Sequence, residues 1–296
     1  MTDDIDITIG QVIRRAERHL VQHGVPNARR NAEWIFCETL HWPLIDLYVN
    51  SHVPMNDESL HSFWELIKRR ARREPLQYIL GNTSFMSAVY QVRPGVFVPR
   101  PETEVLVEQA LELLLEVPLD RPLSALDLCC GSGIIGIALA DRVGNLAVTS
   151  VDASPEAIEL TESNAGYTRV AERVTLVCED AFEYLGRSDA RFTAILCNPP
   201  YIATPELAAL PPEVRDFEPR DALDGGPDGL DFYRRVIPML PVHLAPGGFV
   251  MFEIGDTQAD AVSALLRGTG FADVEVARDL SGRDRVVTAR QENSNG

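Results

Sequence analysis

Ala125-Leu126-Asp127-Leu128-Cys129-Cys130-Gly131-Ser132-Gly133-Ile134 is the stretch that decides the fold. A short apolar run fits a buried strand. Two glycines then allow a tight turn, and the apolar periodicity from Ile134 to Ala140 fits a helix. Working downstream, Leu146–Val151 is the next strand and ends on Asp152, and Pro155 opens a helix to about Asn164. Further strands are predicted over 174–177, 192–196 and 248–253, and near Val274 and Val286. Repeated strand–helix alternation predicts an α/β unit with a mostly parallel sheet and helices on both faces. Ligands should then sit beyond the carboxyl ends of the strands.

Upstream the pattern is different. Ile9, Val12, Ile13, Ala16 and Leu20 share one helical face, and Gly24 ends that helix. A second helix opens at Pro26-Asn27 and runs to Leu40. A third starts at Asn56-Asp57 and runs to about Arg73 along Leu60, Phe63, Trp64 and Ile67. Phe85–Val92, a turn at Arg93-Pro94-Gly95 and Val96–Val98 read as a β-hairpin. The predicted organisation is therefore a helical domain over 1–82, a hairpin linker over 83–98 and an α/β domain over 99–296, with 291–296 as a loose tail.

Composition narrows the function classes. The chain has 296 residues, 45% of them hydrophobic, and no apolar run approaches a membrane span. The acidic start Met1-Thr2-Asp3-Asp4 lacks a secretory pattern, so a cytoplasmic protein is expected. Five cysteines without a C-x-x-C pair argue for buried free thiols and against disulfides or a metal site. A net charge of −17 disfavours DNA binding. The basic run Lys68, Arg69, Arg70, Arg72, Arg73 reads first as a solvated helix end, and second as a contact for an acidic or RNA-bearing partner.

Two features beyond the glycine turn carry chemistry. Asp152 lies about twenty residues after Gly131, where a carboxylate can accept both ribose hydroxyls of a nucleoside. At that point NAD and S-adenosylmethionine both remain open. Cys197-Asn198-Pro199-Pro200-Tyr201 follows the fourth strand and would face the same cleft. Its prolines remove two N–H donors and leave carbonyls as acceptors. An asparagine side chain and a proline carbonyl together can accept both hydrogens of an NH2 group, and Tyr201 offers a π face. That geometry suits methyl transfer to a planar nitrogen, whereas hydride transfer needs nothing of the kind.

The Asn-Pro-Pro-Tyr tetrapeptide resembles the signature of amino-methyltransferases that act on glutamine amides or on DNA bases. Three more segments sharpen the resemblance: Glu74–Gly81, Phe97-Val98-Pro99-Arg100-Pro101-Glu102-Thr103-Glu104, and Phe217–Gly226, which reads Phe-Glu-Pro-Arg-Asp-Ala-Leu-Asp-Gly-Gly. Together with Gly282–Val286 they look like the HemK family, the peptide-chain-release-factor glutamine N(5)-methyltransferases. The similarity covers nearly the whole chain. It implies a class I, Rossmann-like methyltransferase fold with a seven-stranded sheet plus a small helical N-terminal domain for substrate recognition. It also implies S-adenosyl-L-methionine as cofactor and release factors as protein substrate, with no membrane and no direct DNA contact.

By that resemblance Cys129, Cys130, Gly131, Ser132 and Gly133 border the methionine part of the cofactor and Asp152 holds the ribose. Asp180, Ala181 and Phe182 flank the adenine. Asn198 touches both cofactor and substrate, and Pro199, Pro200 and Tyr201 clamp the glutamine amide, with Asn198, Pro199 and Tyr201 as the catalytic set. Arg100–Glu104 would lie over the methionine end. Cys129 departs from the usual glycine and is shared with sister enzymes that methylate a ribosomal protein, whereas Arg100-Pro101-Glu102 differs from the Arg-Ser-Pro of that group. A DNA adenine methyltransferase and a non-catalytic cofactor-binding partner subunit are the remaining alternatives.

Overall fold

The computed structural model describes residues 7–117 and 122–291, and the residues beyond Gln291 that were expected to form a tail lie outside the described part. The chain sorts into two compact units. The first holds the residues up to Asn82 together with Pro211–Phe217, and the second holds Thr83–Leu210 and Glu218 onward.

In the first unit α1 (Ile9–Gln22) buries Ile9, Val12, Ile13, Ala16 and Leu20. It stops where Gly24 turns left-handed at φ +70° and the Val25 N–H reaches back to the Leu20 carbonyl. α2 (Ala28–Leu40) and α4 (Asp57–Ala71) pack with it around Phe36, Phe63 and Ile67. The Asn56 side chain caps α4 by accepting from the Ser59 N–H at 2.8 Å. Two helices were missed in the sequence, α3 (Leu44–Val49) and α5 (Leu76–Leu80), because one-turn helices are too short to show a period.

The basic run is a solvated helix end only in part: Lys68 and Arg72 are exposed, but Arg70 is buried and Arg73 half-buried. Lys68 pairs with Glu65 and Arg69 with Glu74. The Arg70 side chain, only 4% exposed, donates to Asn31 Oδ1, the Glu74 carbonyl and Glu213 Oε1. Arg73 makes a two-pronged bond to the same Glu213, at 2.8 and 2.6 Å. Burial pushes the Glu213 carboxyl up, but Arg73 and Arg70 together hold it below the usual range.

The second unit opens with a hairpin, β1 (Asn82–Phe85) and β2 (Ala88–Gln91). Its turn is Met86-Ser87, both left-handed at φ +49° and +66°, and not the predicted Arg93-Pro94-Gly95; Val96–Val98 is no strand. Nor is the hairpin a free linker. The Glu104 carboxylate accepts from the Met86 N–H at 2.6 Å, and the Asn164 side chain bonds both backbone groups of Gln91.

α6 (Glu104–Leu115) leads to the alternation β3 (Leu123–Leu128), α7 (Ile134–Arg142), β4 (Leu146–Asp152), α8 (Pro155–Tyr167), β5 (Val174–Cys178), α9 (Ala181–Arg187) and β6 (Phe192–Cys197). After the short α10 (Pro212–Arg215) of the first unit come α11 (Asp231–Val236), β7 (Leu244–Glu253), α12 (Ala259–Gly268), β8 (Phe271–Arg278) and β9 (Asp284–Gln291). The sheet order is β5-β4-β3-β6-β7-β9-β8, parallel through β7 and antiparallel at β9. The predicted mostly parallel, seven-stranded α/β class therefore stands. Strand order reverses between β3 and β6, where Leu128 pairs with Cys197, and this reversal is where such sheets open a cleft.

Glu213→Ala should lower the free energy of unfolding by about 3 kcal/mol, because it leaves the buried Arg70 and its neighbour Arg73 without their shared counter-ion. Urea denaturation reads this directly. An unchanged midpoint would mean that Asn31 and the Glu74 carbonyl satisfy Arg70 on their own.

Candidate active site

The loop after β3 alternates handedness: Cys129, Gly131 and Gly133 have φ of +56°, +55° and +74°. For Cys129 this conformation costs roughly 1–2 kcal/mol, which explains why glycine is the easier residue there. A Cβ on Gly133 would sit 2.3 Å from Thr161 Cγ2, so no side chain fits. A Cβ on Gly131 would meet nothing within 4 Å, so this backbone borders open space. Thr161 fastens the loop by donating to the Gly131 carbonyl, and Asn164 by donating to the Ser132 carbonyl. Ser132, Gly133 and Cys130 are buried.

Asp152, at the end of β4, accepts from the Gly131 N–H through Oδ2 at 2.8 Å and from the Ser154 N–H through Oδ1 at 2.9 Å. Ser154, not Asp152, caps α8. Burial raises the Asp152 carboxyl, and the N–H groups of Ser154, Gly131 and Ala153 pull it back. Asp127 was quoted in the sequence without a role. It is fully buried, its Oδ2 accepts from the Gly136 N–H, and its Oδ1 has no partner among the described residues. Burial pushes its carboxyl up to about 7.

Asp180 caps α9 by accepting from the Phe182 and Glu183 N–H groups. Ala181 is buried. Phe182 carries the Arg235 guanidinium 3.6 Å from its ring centre and packs on Phe232.

β6 delivers Asn198-Pro199-Pro200-Tyr201 beside the glycine loop, because Leu128 at the end of β3 pairs with Cys197 at the end of β6. The tetrapeptide is braced from behind by the Leu223–Gly229 segment. Ile202 exchanges backbone hydrogen bonds with Leu223 and Gly225. A Cβ on Gly225 would lie 2.8 Å from the Pro200 carbonyl and the Tyr201 Cα, and one on Gly229 would lie 2.3 Å from the Tyr201 carbonyl. Gln258 donates to both the Tyr201 and Gly229 carbonyls. Gly225 of the Phe217–Gly226 motif, and Gly229 just beyond it, thus serve close backbone approach.

Residues 100–104, to which the sequence attached no separate roles, divide clearly. Arg100 stacks on Phe97 and pairs at 2.6 Å with the buried Glu218, which also takes the Val98 N–H. Burial raises the Glu218 carboxyl against the pull of Arg100. Thr103 donates to Glu253, and Asn198 Nδ2 donates to Thr103. The Tyr201 hydroxyl also reaches Glu253, at 3.3 Å. Asp127 and Glu253 are the residues that sequence reasoning missed, although an acid inside or closing an apolar strand is itself a signal. Of the five cysteines, all free, Cys130 and Cys197 are buried as expected, but Cys178 is exposed.

Residues 11–81 match the PrmC N-terminal domain family and residues 92–209 the methyltransferase small domain family. The release factor glutamine methyltransferase of Geobacter sulfurreducens is 46% identical over 98% of this chain and 99% of its own. That of Thermodesulfovibrio yellowstonii is 37% identical over 90% and 93%. Among solved structures, a SAM-dependent methyltransferase from Agrobacterium tumefaciens has a TM-score of 0.50 at 19% identity, covering 72% of this chain and 70% of its own. SMU.776, described as a methyltransferase complexed with SAH, has a TM-score of 0.51 at 14% identity over 71% and 56%. The two structures speak for the fold, and the identity over full length speaks for kinship: the chain belongs to the release factor glutamine methyltransferase family.

Proposed function

We propose that this enzyme transfers a methyl group from S-adenosyl-L-methionine to the side-chain amide nitrogen of the glutamine in the Gly-Gly-Gln motif of peptide chain release factors. The observation that carries the reading is the Asn198–Tyr201 loop. It is braced rigidly at the strand reversal, next to a glycine turn with open space above it. The relatives named for this reaction align over nearly all of the chain.

The cofactor fits the residues present. Gly131 leaves room for a ligand along the backbone, and Asp152 has lone pairs left for ribose hydroxyls. Phe182 would pack against the adenine beside Ala181 and Asp180. When bound, the cofactor supplies an electrophilic methyl on a sulfonium. The protein's task is alignment, because an amide nitrogen is a poor nucleophile. Asn198 Oδ1 and the Pro199 carbonyl would accept the two amide hydrogens, with Tyr201 and Pro200 flanking the amide plane. This aims the nitrogen lone pair and stabilises positive charge as it develops there. No base is required, since the nitrogen's proton becomes acidic after attack and can leave to water.

The helical unit reads the protein around the glutamine. Of its basic run, Arg70 and Arg73 are taken up by Glu213, so recognition falls to the face that α1 shares with Trp64 and Lys68 of α4. An open groove of about 630 Å³ there is lined by Arg15, Arg18, His19, Trp64 and Lys68, with Arg15 stacked on Trp64. In a chain of net charge −17 this groove offers cations to an acidic protein surface. The free thiols agree with a reducing cytoplasm, and among the described residues no helix is long and apolar enough to cross a membrane.

Mass spectrometry of a class 1 release factor incubated with enzyme and labelled cofactor should show one added methyl on the Gly-Gly-Gln glutamine. Asn198→Ala should cut kcat about a hundredfold through misalignment. Preferential methylation of a large-subunit ribosomal protein would reassign the substrate. Asp152→Ala should weaken cofactor binding by about 1.5–3 kcal/mol in calorimetry; an unaltered Kd removes it from the site. Reversing both Arg15 and Arg18 to Glu should raise KM for intact release factor roughly tenfold, the scale of two lost surface ion pairs, while a Gly-Gly-Gln peptide is turned over as before. Equal effects on both substrates would show that the groove does not read the protein.

A further inference from the structure

A wholly buried carboxylate costs stability unless something needs it. Glu253 is 1% exposed at the end of β7, and the strand beside it, β6, delivers Asn198. Its Oε2 accepts from Thr103 Oγ1 at 2.6 Å and its Oε1 from the Tyr201 hydroxyl at 3.3 Å. Thr103 is 2% exposed, and its Oγ1 in turn accepts from Asn198 Nδ2 at 3.4 Å. The proposed reaction asks Asn198 to present its oxygen to the substrate, yet an asparagine amide can turn over and present its NH2 instead.

We propose that Glu253, acting through Thr103, is a positioning residue that fixes which end of the Asn198 amide faces the cleft. The inference rests on the reading of Asn198 as the holder of the reacting amide. A carboxylate only accepts, so the single Thr103 proton is committed to Glu253. The Thr103 lone pairs are then what Asn198 meets, and only an NH2 group can bond to them. The Asn198 oxygen is left turned away from Thr103 and free to accept. A protonated Glu253 reverses the chain. It can donate to Thr103, which can then donate to the Asn198 oxygen and occupy the acceptor that the substrate needs.

The charges that face Glu253 are few. Arg285 on β9 favours its anion and Glu102 opposes it; the Tyr201 and Thr103 hydroxyls bond it directly, while the Tyr233 hydroxyl donates to its backbone carbonyl at 2.7 Å. Burial pushes the carboxyl up to about 7 against Thr103, Arg285 and Tyr201. The orienting anion is therefore lost as pH falls through neutrality.

The test has a substrate-free arm and a kinetic arm. In protein carrying 15N-labelled asparagine, the Asn198 side-chain NH2 resonances should titrate with a midpoint near pH 7, and should lose that titration in Thr103→Val. In turnover of the Gly-Gly-Gln protein, Thr103→Val should lower kcat at least tenfold with the cofactor Kd within twofold, and Thr103→Ser should restore it to within threefold of wild type. The wild-type kcat should fall below pH 7, and that fall should vanish in Thr103→Val and Glu253→Gln. An Asn198 NH2 that does not titrate in the unaltered protein, or Thr103→Ser as impaired as Thr103→Val, overturns the positioning role. A titrating NH2 in an enzyme that leaves release factor unmethylated would instead count against the substrate reading and leave the positioning role standing.

Discussion

The placement of the glycine loop and the Asn-Pro-Pro-Tyr loop depends on the parallel pairing of β3 with β6. Their last residues, Leu128 and Cys197, are register partners. The glycine loop and the Asn-Pro-Pro-Tyr loop therefore leave the sheet side by side where the order of the parallel strands reverses. Neither loop is stiff by its own covalent structure alone. The first is fastened by Thr161 and Asn164 from α8, the second by Gln258 and the close backbone of Gly225 and Gly229. A rigid sheet sets the distance between the loops, and these side contacts set their shape.

The second organising constraint is the burial of acids. Asp127 and Glu253 lie at or near the ends of core strands and are fully enclosed, and burial raises both towards neutrality. Glu218 is nearly as enclosed and holds Arg100. A hydrophobic interior does not accept such groups without hydrogen-bond donors, and each has found some, apart from one oxygen of Asp127. Buried polar side chains also occur away from the cleft, at Asn31, Glu33 and Arg70 in the helical unit and at His243 and Ser263 in the second.

The parallel strands were legible because strands buried on both faces read as short apolar runs between turn residues. Asp152 and Asn198 were legible because each follows such a run directly. The hairpin was only half legible. Arg93-Pro94-Gly95 has obvious turn chemistry, whereas the true turn uses Met86 and Ser87, whose left-handed backbones are stabilised from a distance by Glu104 and by Arg142, which donates to the Met86 carbonyl. The roles of Arg100 and Thr103 depend on Glu218 and Glu253, more than a hundred residues away in both cases. No local pattern encodes such partnerships. The burial of Arg70 and Arg73 in the basic run was illegible for the same reason, since their counter-ion Glu213 lies in a part of the chain that composition gives no cause to connect with them.

That counter-ion also sets an order of events during synthesis. Arg70 and Glu213 are separated by 143 positions. At the usual pace of translation the ribosome needs on the order of ten seconds to make the intervening chain. Throughout that interval the helical unit, still without α10, carries an arginine built for burial with no carboxylate to meet it. Its final closure waits until the strands that frame the cleft and the Asn198–Tyr201 loop have themselves been made. The first helices to be synthesised therefore complete their packing only after β3 to β6 have been made.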